Sequence, residues 1–356
     1  MKILLTGAAG FIGSYTVREL VRLGHDVVGI DNYDEFYSRK AKEFAVDLTN
    51  LFSGNELNYF SEHEVTPILD LLKTFHMKHL DRVGEGRYSS VDLDILEYER
   101  VTELFDNEDF DAVIHLAAMA GVPHSLKDPL KYSEVNISGT THLLNEMVKH
   151  EVKNLVFASS SSVYGNCTDT PFREDLDVDK PISPYAATKR MGEILNYTFH
   201  KLYDLNVMNL RFFTVYGPLQ RPYGMAIQKF IKQTFHGNPM TVYGDGSMAR
   251  DFTYIDDIVD GIVAALERNK GYSTFNLGNK MPTSLTDLTN EIRSQMGKGS
   301  VTHLDKPPTE VSITCADISN AQNVLGYVPQ VSIQEGIRRQ IEVFKAMPKW
   351  FQNLSE

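Results

Sequence analysis

The sequence predicts a doubly wound α/β fold, in which helices cover both faces of a parallel Rossmann sheet. Two observations support this fold class. Short apolar runs alternate with helical patterns through the first 150 residues, and a glycine-rich turn joins the first run to the first helical pattern. Strands buried on both faces are nearly continuous in apolar residues, as these runs are, and helices between them indicate parallel crossover connections.

The predicted elements follow in order along the chain. We expect strands at residues 3–6, 26–30, 112–116 and 154–158, and helices at residues 13–23 and 137–149. Beyond residue 205, strand-like fragments at residues 207–213 and 240–243 are mixed with short helices, glycine, proline and aromatic residues. This change of texture predicts a smaller second α/β region over residues 206–356, interleaved with the last strands of the sheet that begins in residues 1–205.

A long segment at about residues 34–90 interrupts the alternation. Neighbouring strands are usually joined by one helix and short loops, so this stretch is an insertion. Residues 67–80 within it have the pattern of an amphipathic helix, with Ile68, Leu72 and Phe75 on its apolar face. We expect this helix to pack on its own domain, and contact with a partner or a membrane surface is the alternative.

Composition limits the classes of partner. Hydrophobic residues make up 42% and charged residues 23% of the chain, which is ordinary for a globular protein. The 35 Lys and Arg residues against 47 Asp and Glu residues give a net charge of −12, which argues against nucleic acid as the main partner. Two cysteines are too few for a disulfide framework, and no apolar run approaches a membrane span of about 18 residues. We expect a cytoplasmic protein with no membrane partner.

The first turn has the composition of a phosphate-binding loop. The segment Gly7-Ala8-Ala9-Gly10-Phe11-Ile12-Gly13 joins a predicted strand to a predicted helix, where backbone N–H groups and the helix dipole stabilise a pyrophosphate. Asp31 lies close to the spacing of about 20 residues expected for a carboxylate that binds ribose hydroxyls. Because Asp31 would repel a 2′-phosphate, the pattern favours NAD over NADP. Asp92-Leu93 follows a third strand and predicts an adenine contact, with a helix N-cap at Asp92 as the alternative.

A second motif, Ser183-Pro184-Tyr185-Ala186-Ala187-Thr188-Lys189, predicts the start of a helix. Ser183 is a favourable N-cap and Pro184 a favourable first helical residue, so Tyr185 and Lys189 share one helix face at i and i+4. An adjacent ammonium and a nicotinamide cation would lower the pKa of the Tyr185 phenol toward neutral pH. This pair therefore predicts a general acid/base.

A run of four serines, residues 159–162, ends the strand at residues 154–158. Ligands of open α/β sheets bind at the carboxyl ends of strands, so the run points toward the expected cleft. A hydroxyl both donates and accepts, as a group that passes protons between a substrate hydroxyl and Tyr185 must. For Ser159 and Ser161 a simple polar turn is the favoured interpretation.

Together these motifs resemble the extended short-chain dehydrogenase/reductase family, and specifically its nucleotide-sugar epimerase and dehydratase branch. The glycine spacing G-x-x-G-x-x-G is that of this family, and the similarity covers nearly the whole chain. The resemblance implies an NAD-binding domain over residues 1–205 and a mainly substrate-binding region over residues 206–356. It implies Ser160, Tyr185 and Lys189 as the catalytic set, with Ser162 touching the reacting sugar hydroxyl. The implied cofactor-binding residues are Gly7, Ala9, Gly10, Phe11, Ile12, Gly13, Asp31, Asn32, Asp92, Leu93, Leu116, Ala117, Ala118, Tyr185 and Lys189.

The residues before Val163-Tyr164-Gly165 distinguish the reactions of this branch. Relatives that eliminate water carry an Asp-Glu pair there, and relatives that remove the sugar carboxylate carry a Glu, whereas this chain has Ser161-Ser162. Without those carboxylates we expect a 4-epimerase, which withdraws the C4 hydride and returns it to the opposite face. Because each turnover regenerates NAD, the cofactor should remain bound.

The segment from Arg211 to Pro218, followed by Gln220-Arg221-Pro222, resembles UDP-glucuronate 4-epimerases. There, residues at the positions of Thr214 and Arg221 sit by the sugar C5 substituent, and a guanidinium binds a carboxylate bidentately. Leu219 and the pair Tyr223-Gly224 depart from that pattern. By the same resemblance, Tyr243 lies near uracil and Arg250 contacts the diphosphate of the UDP-sugar.

The resemblance leaves alternatives open. An enzyme for UDP-glucose or UDP-N-acetylglucosamine is the first, and a UDP-glucuronate decarboxylase or a silent NAD-binding regulator is less favoured. Asp256-Asp257 opens a predicted helix and suits the helix dipole better than a metal, so no metal site is expected. Relatives commonly dimerise through a four-helix bundle that includes the helix carrying Tyr185, which implies a homodimer.

Overall fold

A seven-stranded parallel sheet forms the centre of the molecule in a computed structural model that describes residues 1–75, 84–221, 224–305 and 311–355. Two small sheets lie beyond it. The strands are β1 (Lys2–Thr6), β2 (Asp26–Asp31), β3 (Tyr88–Asp92), β4 (Ala112–His115), β5 (Asn154–Ser160), β6 (Asn206–Phe212), β7 (Thr214–Tyr216), β8 (Met240–Tyr243), β9 (Ala249–Tyr254), β10 (Tyr272–Leu277), β11 (Pro282–Ser284) and β12 (Val301–Leu304).

Helices cover both faces of the central sheet. They are α1 (Phe11–Arg22), α2 (Arg39–Ser53), α3 (Glu62–Phe75), α4 (Tyr98–Asn107), α5 (Val122–Ser125), α6 (Pro129–Ser133), α7 (Thr140–Lys149), α8 (Pro184–Tyr203), α9 (Ala226–Phe235), α10 (Ile255–Glu267), α11 (Leu285–Met296), α12 (Ser319–Leu325), α13 (Ile333–Ala346) and α14 (Lys349–Gln352). A π-helical stretch, Glu134–Gly139, precedes α7, and a 3-10 turn, Ser161–Tyr164, follows β5.

The central sheet has the strand order β3-β2-β1-β4-β5-β6-β10, with every neighbouring pair parallel. The order reverses between β1 and β4, and in open α/β sheets ligands bind in the crevice at such a switch point. The predicted doubly wound α/β class is confirmed. Two of the seven strands, β6 and β10, come from beyond residue 205.

The hydrophobic patterns of the sequence placed most of the expected strands and helices close to their observed positions. The predicted strands lie within a residue or two of β1, β2, β4 and β5, because their apolar runs are buried on both faces. The helix predicted at residues 137–149 begins earlier, as the π-helical stretch Glu134–Gly139. No signal in the hydrophobic pattern marks that wider turn.

The insertion contributes α2 and α3, which pack on the same chain as expected. Helix α3 begins at Glu62 rather than at residue 67, and residues 76–80 of the predicted helix lie outside the described residues. The buried face of α3 includes Val65, Ile68 and Leu72, and the helix contacts α2 and α13. The insertion also reaches the end of the chain, where Phe60 stacks on Trp350 at 5.6 Å between ring centroids.

No helix in the described part of the chain is both long enough and apolar enough to cross a membrane. The same described residues contain no group of three or more His, Cys, Asp or Glu side chains arranged to hold a metal ion.

Candidate active site

A cleft of about 450 Å³ opens at the carboxyl ends of the central strands, at the switch point between β1 and β4. The chain segments that follow β1, β2, β3, β4 and β5 all contribute to its lining. The predicted site residues that line it are Gly7, Gly10, Phe11, Ile12, Gly13, Asp31, Asn32, Leu93, Leu116, Ala117, Ala118, Ser160, Ser162, Tyr185, Lys189, Thr214 and Arg221.

The glycine turn between β1 and α1 leaves space that other residues would fill. Gly7 has φ +76°, and a Cβ atom there would lie 2.8 Å from the backbone nitrogen of Ala117. A Cβ on Gly13 would lie 2.0 Å from the carbonyl oxygen of Gly7, so α1 can start this close to the turn only with glycine. The N-terminus of α1 thus faces the cleft with its first N–H groups, which suits the pyrophosphate of a dinucleotide. Ala9 is buried behind the turn and does not line the cleft.

Asp31 ends β2 at the edge of the cleft and is held by three donors. Its carboxylate accepts from the backbone nitrogens of Ala9 at 3.2 Å and Tyr33 at 2.8 Å, and from the Lys42 ammonium at 3.3 Å. The position suits hydrogen bonds to ribose hydroxyls. Lys42 also lines the cleft, and sequence reasoning missed it because the pairing joins a strand end to a helix of the insertion.

The structure separates Asp92 and Leu93, the two residues of the predicted adenine contact, and the contact itself stays a prediction. Leu93 lines the cleft, but the Asp92 carboxylate faces outward and pairs with Arg39 at 3.1 Å. Asp94 lines the cleft instead and accepts a hydrogen bond of 2.6 Å from Asn32. The alternative of an N-cap at Asp92 is wrong, because α4 begins six residues later at Tyr98.

Helix α8 presents Tyr185 and Lys189 to the cleft. It begins as predicted, with Ser183 as the N-cap accepting from the backbone nitrogen of Ala186 at 3.1 Å and Pro184 as the first helical residue. The Lys189 ammonium is buried and donates to the carbonyl oxygen of Ala158 at 2.8 Å. Burial lowers the pKa of Lys189 to about 7.

The serine turn, defined here as Ser160–Ser162, faces Tyr185. The Ser160 hydroxyl is close enough to Tyr185 to lower the pKa of the phenol, and the hydroxyl oxygens of Ser160 and Ser162 lie 2.8 Å apart. The backbone nitrogen of Ser162 also donates to the Ser160 hydroxyl at 3.2 Å. The phenol and the two serine hydroxyls therefore lie together on the wall of the cleft, where each can donate to or accept from a bound hydroxyl.

Burial raises the pKa of Tyr185, and the neighbouring Ser160 hydroxyl and the positive charge of Arg221 offset part of that rise. Sequence reasoning missed the contribution of Arg221, because this residue reaches the cleft from a distant segment, which helical spacing does not reveal. The lowering of the phenol pKa by the Lys189 ammonium and a nicotinamide cation stays a prediction.

A buried ion pair lies behind the serine turn, and sequence reasoning missed it. Glu193 and Arg211 form two hydrogen bonds, of 2.8 and 2.9 Å, and both side chains are almost fully buried. Ser159, just before the turn, donates to Glu193 at 2.6 Å, and Arg211 donates to the Tyr164 hydroxyl, just after it, at 3.0 Å. The ion pair thus holds the serine turn from both ends. It joins α8 to β6, and no local motif predicts that.

Thr214 and Arg221 line the cleft from the chain segments that follow β6. Thr214 begins β7, and Arg221 follows in the loop after it. The Arg221 guanidinium carbon lies 4.4 Å from the ring centroid of Phe36, a residue of the insertion that also lines the cleft. Pro222, the last residue of the segment that resembles the uronate enzymes, and Tyr223, which departs from that pattern, lie outside the described residues.

Tyr243 and Arg250 do not line this cleft. Tyr243 ends β8, with the Lys229 ammonium 5.7 Å from its ring centroid. Arg250 lies in β9 and donates to the carbonyl oxygen of Ala249 at 2.9 Å. Their roles toward uracil and the diphosphate stay predictions.

Comparison with known proteins places this site in a family. Residues 3–278 match the model of the NAD dependent epimerase/dehydratase family. The chain belongs to that family. The predicted membership is confirmed, and the family's NAD dependence agrees with the predicted cofactor.

Several relatives are similar over nearly the whole chain. A UDP-glucuronate 4-epimerase of Thermodesulfobacterium geofontis is 39% identical, over 95% of this chain and 94% of the relative. The crystal structure of UDP-glucuronic acid 4-epimerase from Bacillus cereus, in complex with UDP-glucuronic acid and NAD, is 36% identical with a TM-score of 0.81, over 97% of this chain and 99% of that one. The UDP-glucose 4-epimerase of Thermotoga maritima is 28% identical with a TM-score of 0.79, over the same shares.

Proposed function

We propose that the protein is an NAD-dependent UDP-sugar 4-epimerase that interconverts UDP-glucuronate and UDP-galacturonate. The observation that carries the proposal is the convergence of three groups in one cleft. Tyr185, Ser160 and Arg221 all line the cleft, and the Ser160 hydroxyl and the Arg221 guanidinium are close enough to lower the pKa of the phenol. A proton-transfer group thus lies beside a cation suited to a sugar carboxylate. The similarity to uronate epimerases supports the same substrate class.

Proton transfer is the task of the chain's own side chains. Tyr185 would accept the proton of the sugar C4 hydroxyl and later return it, with Ser160 and Ser162 holding that hydroxyl by donating and accepting hydrogen bonds. Lys189 is fixed to Ala158, which orients α8 so that the phenol stays beside the serine turn. When bound, NAD would supply the hydride acceptor and donor, so that the C4 hydride leaves one face of the sugar and returns to the other.

A uronate substrate can lose its carboxylate during the reaction, and the site must prevent this. Its 4-keto form is a β-keto acid, which loses CO₂ when the carboxylate stands perpendicular to the ketone. Arg221 and Thr214 are the residues that would hold the carboxylate away from that orientation. The described carboxylates that line the cleft, Asp31, Asp34 and Asp94, follow β2 and β3 rather than β5. That arrangement favours epimerisation over decarboxylation or elimination of water.

A neutral UDP-hexose is the second candidate substrate, because the UDP-glucose 4-epimerase of Thermotoga maritima is nearly as similar in fold. To distinguish the two candidate substrates, the protein is incubated with UDP-glucuronate, UDP-glucose and UDP-N-acetylglucosamine, and the products are identified by NMR. We expect rapid conversion of the uronate only. Arg221→Ala should abolish the preference, whereas the control Arg100→Ala, which removes an exposed partner of Glu97, should not. A wild-type preference for a neutral sugar would overturn the uronate assignment.

We also propose that the protein is a homodimer. Met191, Ile194 and Tyr197 recur every third residue along α8 and leave 44–48% of their surface exposed. A second copy of α8 would cover this apolar stripe. Light scattering after size exclusion should give a dimer for the wild type and a monomer for Ile194→Glu. Val324→Glu, at a comparably exposed position on α12, should remain dimeric. A monomeric wild type would contradict the proposal.

A further inference from the structure

The insertion supplies an aromatic side chain, Phe36, to the lining of the cleft. Phe36 lies between β2 and α2, and its ring centroid is 4.4 Å from the guanidinium carbon of Arg221, a residue of the loop after β7. The two residues are 185 positions apart in the sequence (221 − 36). At this distance a guanidinium stacked on an aromatic face is held by cation–π attraction.

A second ring, from helix α5, packs against Phe36. His124 of α5 makes an edge-on contact with Phe36, at 4.8 Å between ring centroids and 74° between ring planes. Phe36, His124 and Arg221 converge beside the backbone of Gly121. A Cβ there would lie 3.5 Å from His124 Nδ1, 3.6 Å from Phe36 Cζ and 3.9 Å from the Arg221 Nη2. Gly121 also has φ +94°, a conformation that disfavours any side chain at this point.

The turn that carries Phe36 is tied down at its start. The Asp34 carboxylate accepts from the backbone nitrogen of Phe36 at 2.7 Å and from the Lys131 ammonium of α6 at 2.6 Å. The insertion is therefore joined to the α5–α6 segment by an ion pair and by the contact between Phe36 and His124. This double attachment fixes the ring rather than leaving it on a free loop.

We infer that Phe36 is a positioning and specificity-determining residue, which holds the guanidinium of Arg221 in the orientation that binds the carboxylate of the sugar. The inference rests on the proposed function. An arginine side chain has many rotamers, so a stacked and braced guanidinium loses less freedom when it binds a carboxylate bidentately. Under this inference part of the insertion has a role in substrate binding. Phe36 acts through Arg221 and does not touch the reacting atoms.

The test compares Phe36→Leu with Phe52→Leu, a half-buried phenylalanine of α2 in the same insertion that packs on the core and does not line the cleft. Calorimetry would measure the Kd for UDP-glucuronate, UDP-glucose and UDP, and steady-state kinetics would measure kcat/KM for the uronate. We expect Phe36→Leu to weaken UDP-glucuronate binding about tenfold and to leave the binding of UDP-glucose and UDP unchanged. Phe52→Leu should change none of these Kd values.

A double-mutant cycle with Arg221→Ala gives the deciding result. If Phe36 acts through Arg221, Phe36→Leu should have no further effect on uronate binding once Arg221 is removed. An equal loss for all three ligands, or a full effect in the Arg221→Ala background, would overturn the inference while leaving the proposed function intact. A wild-type protein that converts only neutral UDP-sugars would instead refute the proposed substrate, and the inference with it.

Discussion

The ammonium of Lys189 lies 2.8 Å from the carbonyl oxygen of Ala158, where it joins the face of α8 that carries Tyr185 to the end of β5. One turn further along α8, Glu193 accepts from Ser159, the next residue of the same strand, at 2.6 Å. These two successive contacts set the separation between helix and strand. They therefore set the approach of Tyr185 to Ser160, on which the proposed chemistry depends.

Replacement of the phenol tests that chemistry. Tyr185→Phe removes the hydroxyl that would exchange a proton with the sugar, and we expect turnover to fall by about 10²–10⁴-fold, the usual range for the loss of a general acid/base. Affinity for UDP should be nearly unchanged, because the ring and the helix remain. NMR measures turnover, and calorimetry measures UDP binding. A variant that remains close to fully active would refute the assignment of Tyr185 as the general acid/base.

The buried ion pair behind the serine turn should dominate local stability. Glu193→Ala leaves the Arg211 guanidinium buried without its carboxylate, and such losses cost about 3–5 kcal/mol. Removal of the exposed Glu342, which pairs with Arg338, should cost less than about 1 kcal/mol. Denaturant titration of both variants measures the difference in unfolding free energy. If both variants lose the same small amount of stability, the buried pair of Glu193 and Arg211 contributes little.

Asp257 predicts a change of stability with pH. Its carboxylate lies in the first turn of α10, yet it accepts from the distant backbone nitrogens of Gln330 and Val331 at 2.8 and 3.2 Å. Burial raises the pKa of Asp257 to about 7. Between about pH 4 and pH 7 the folded protein then binds more protons than the unfolded chain, so stability falls as the pH rises through this window.

Asp257→Asn removes that dependence. Relative to the wild type, the variant should gain on the order of 2 kcal/mol in unfolding free energy between pH 5 and pH 8, whatever its absolute stability. Urea titrations at the two pH values measure the change. Wild type and variant that respond identically to pH would contradict the raised pKa.

Cofactor content tests the role assigned to Asp31. An epimerase regenerates NAD in each cycle, and the Asp31 carboxylate at the edge of the cleft would repel a 2′-phosphate even with Lys42 beside it at 3.3 Å. Protein purified without added cofactor should therefore release NAD(H) and little NADP(H) on denaturation, as measured by mass spectrometry. A predominance of NADP(H) would show that Lys42 neutralises the carboxylate in this site.

The sequence predicted those features that depend on local chemistry. The glycine turn, the Ser183 N-cap and the apolar strands are each determined by residues close together in the chain, and the structure has them where they were expected. The assignment of Asp92 shows the limit of this approach. It ends β3 with its carboxylate outside the cleft, whereas Asp94 lies inside. Asp92 and Asp94 are only two residues apart, yet one carboxylate lies outside the cleft and the other lies inside it.

Contacts between distant segments could not be predicted in this way. Lys42 beside Asp31, Arg211 beside Glu193 and Phe36 beside Arg221 each join separate elements, and neither spacing nor composition marks them. The insertion was recognised by its length, but its contribution to the cleft depends on how α2 and the turn before it fold back over the sheet. Only the tertiary structure brings those side chains together.

The fate of the C4 hydrogen tests the account most directly. UDP-glucuronate deuterated at C4 should give UDP-galacturonate with the label retained at C4 and no UDP-pentose, as followed by NMR and mass spectrometry. Retention is expected because the proposed reaction returns the hydride to the same sugar. No UDP-pentose is expected because Arg221 and Thr214 would hold the carboxylate against its loss. Label exchanged into solvent would contradict direct return of the hydride to the sugar. Abundant UDP-pentose would identify the protein as a decarboxylase and refute the argument from the serine turn.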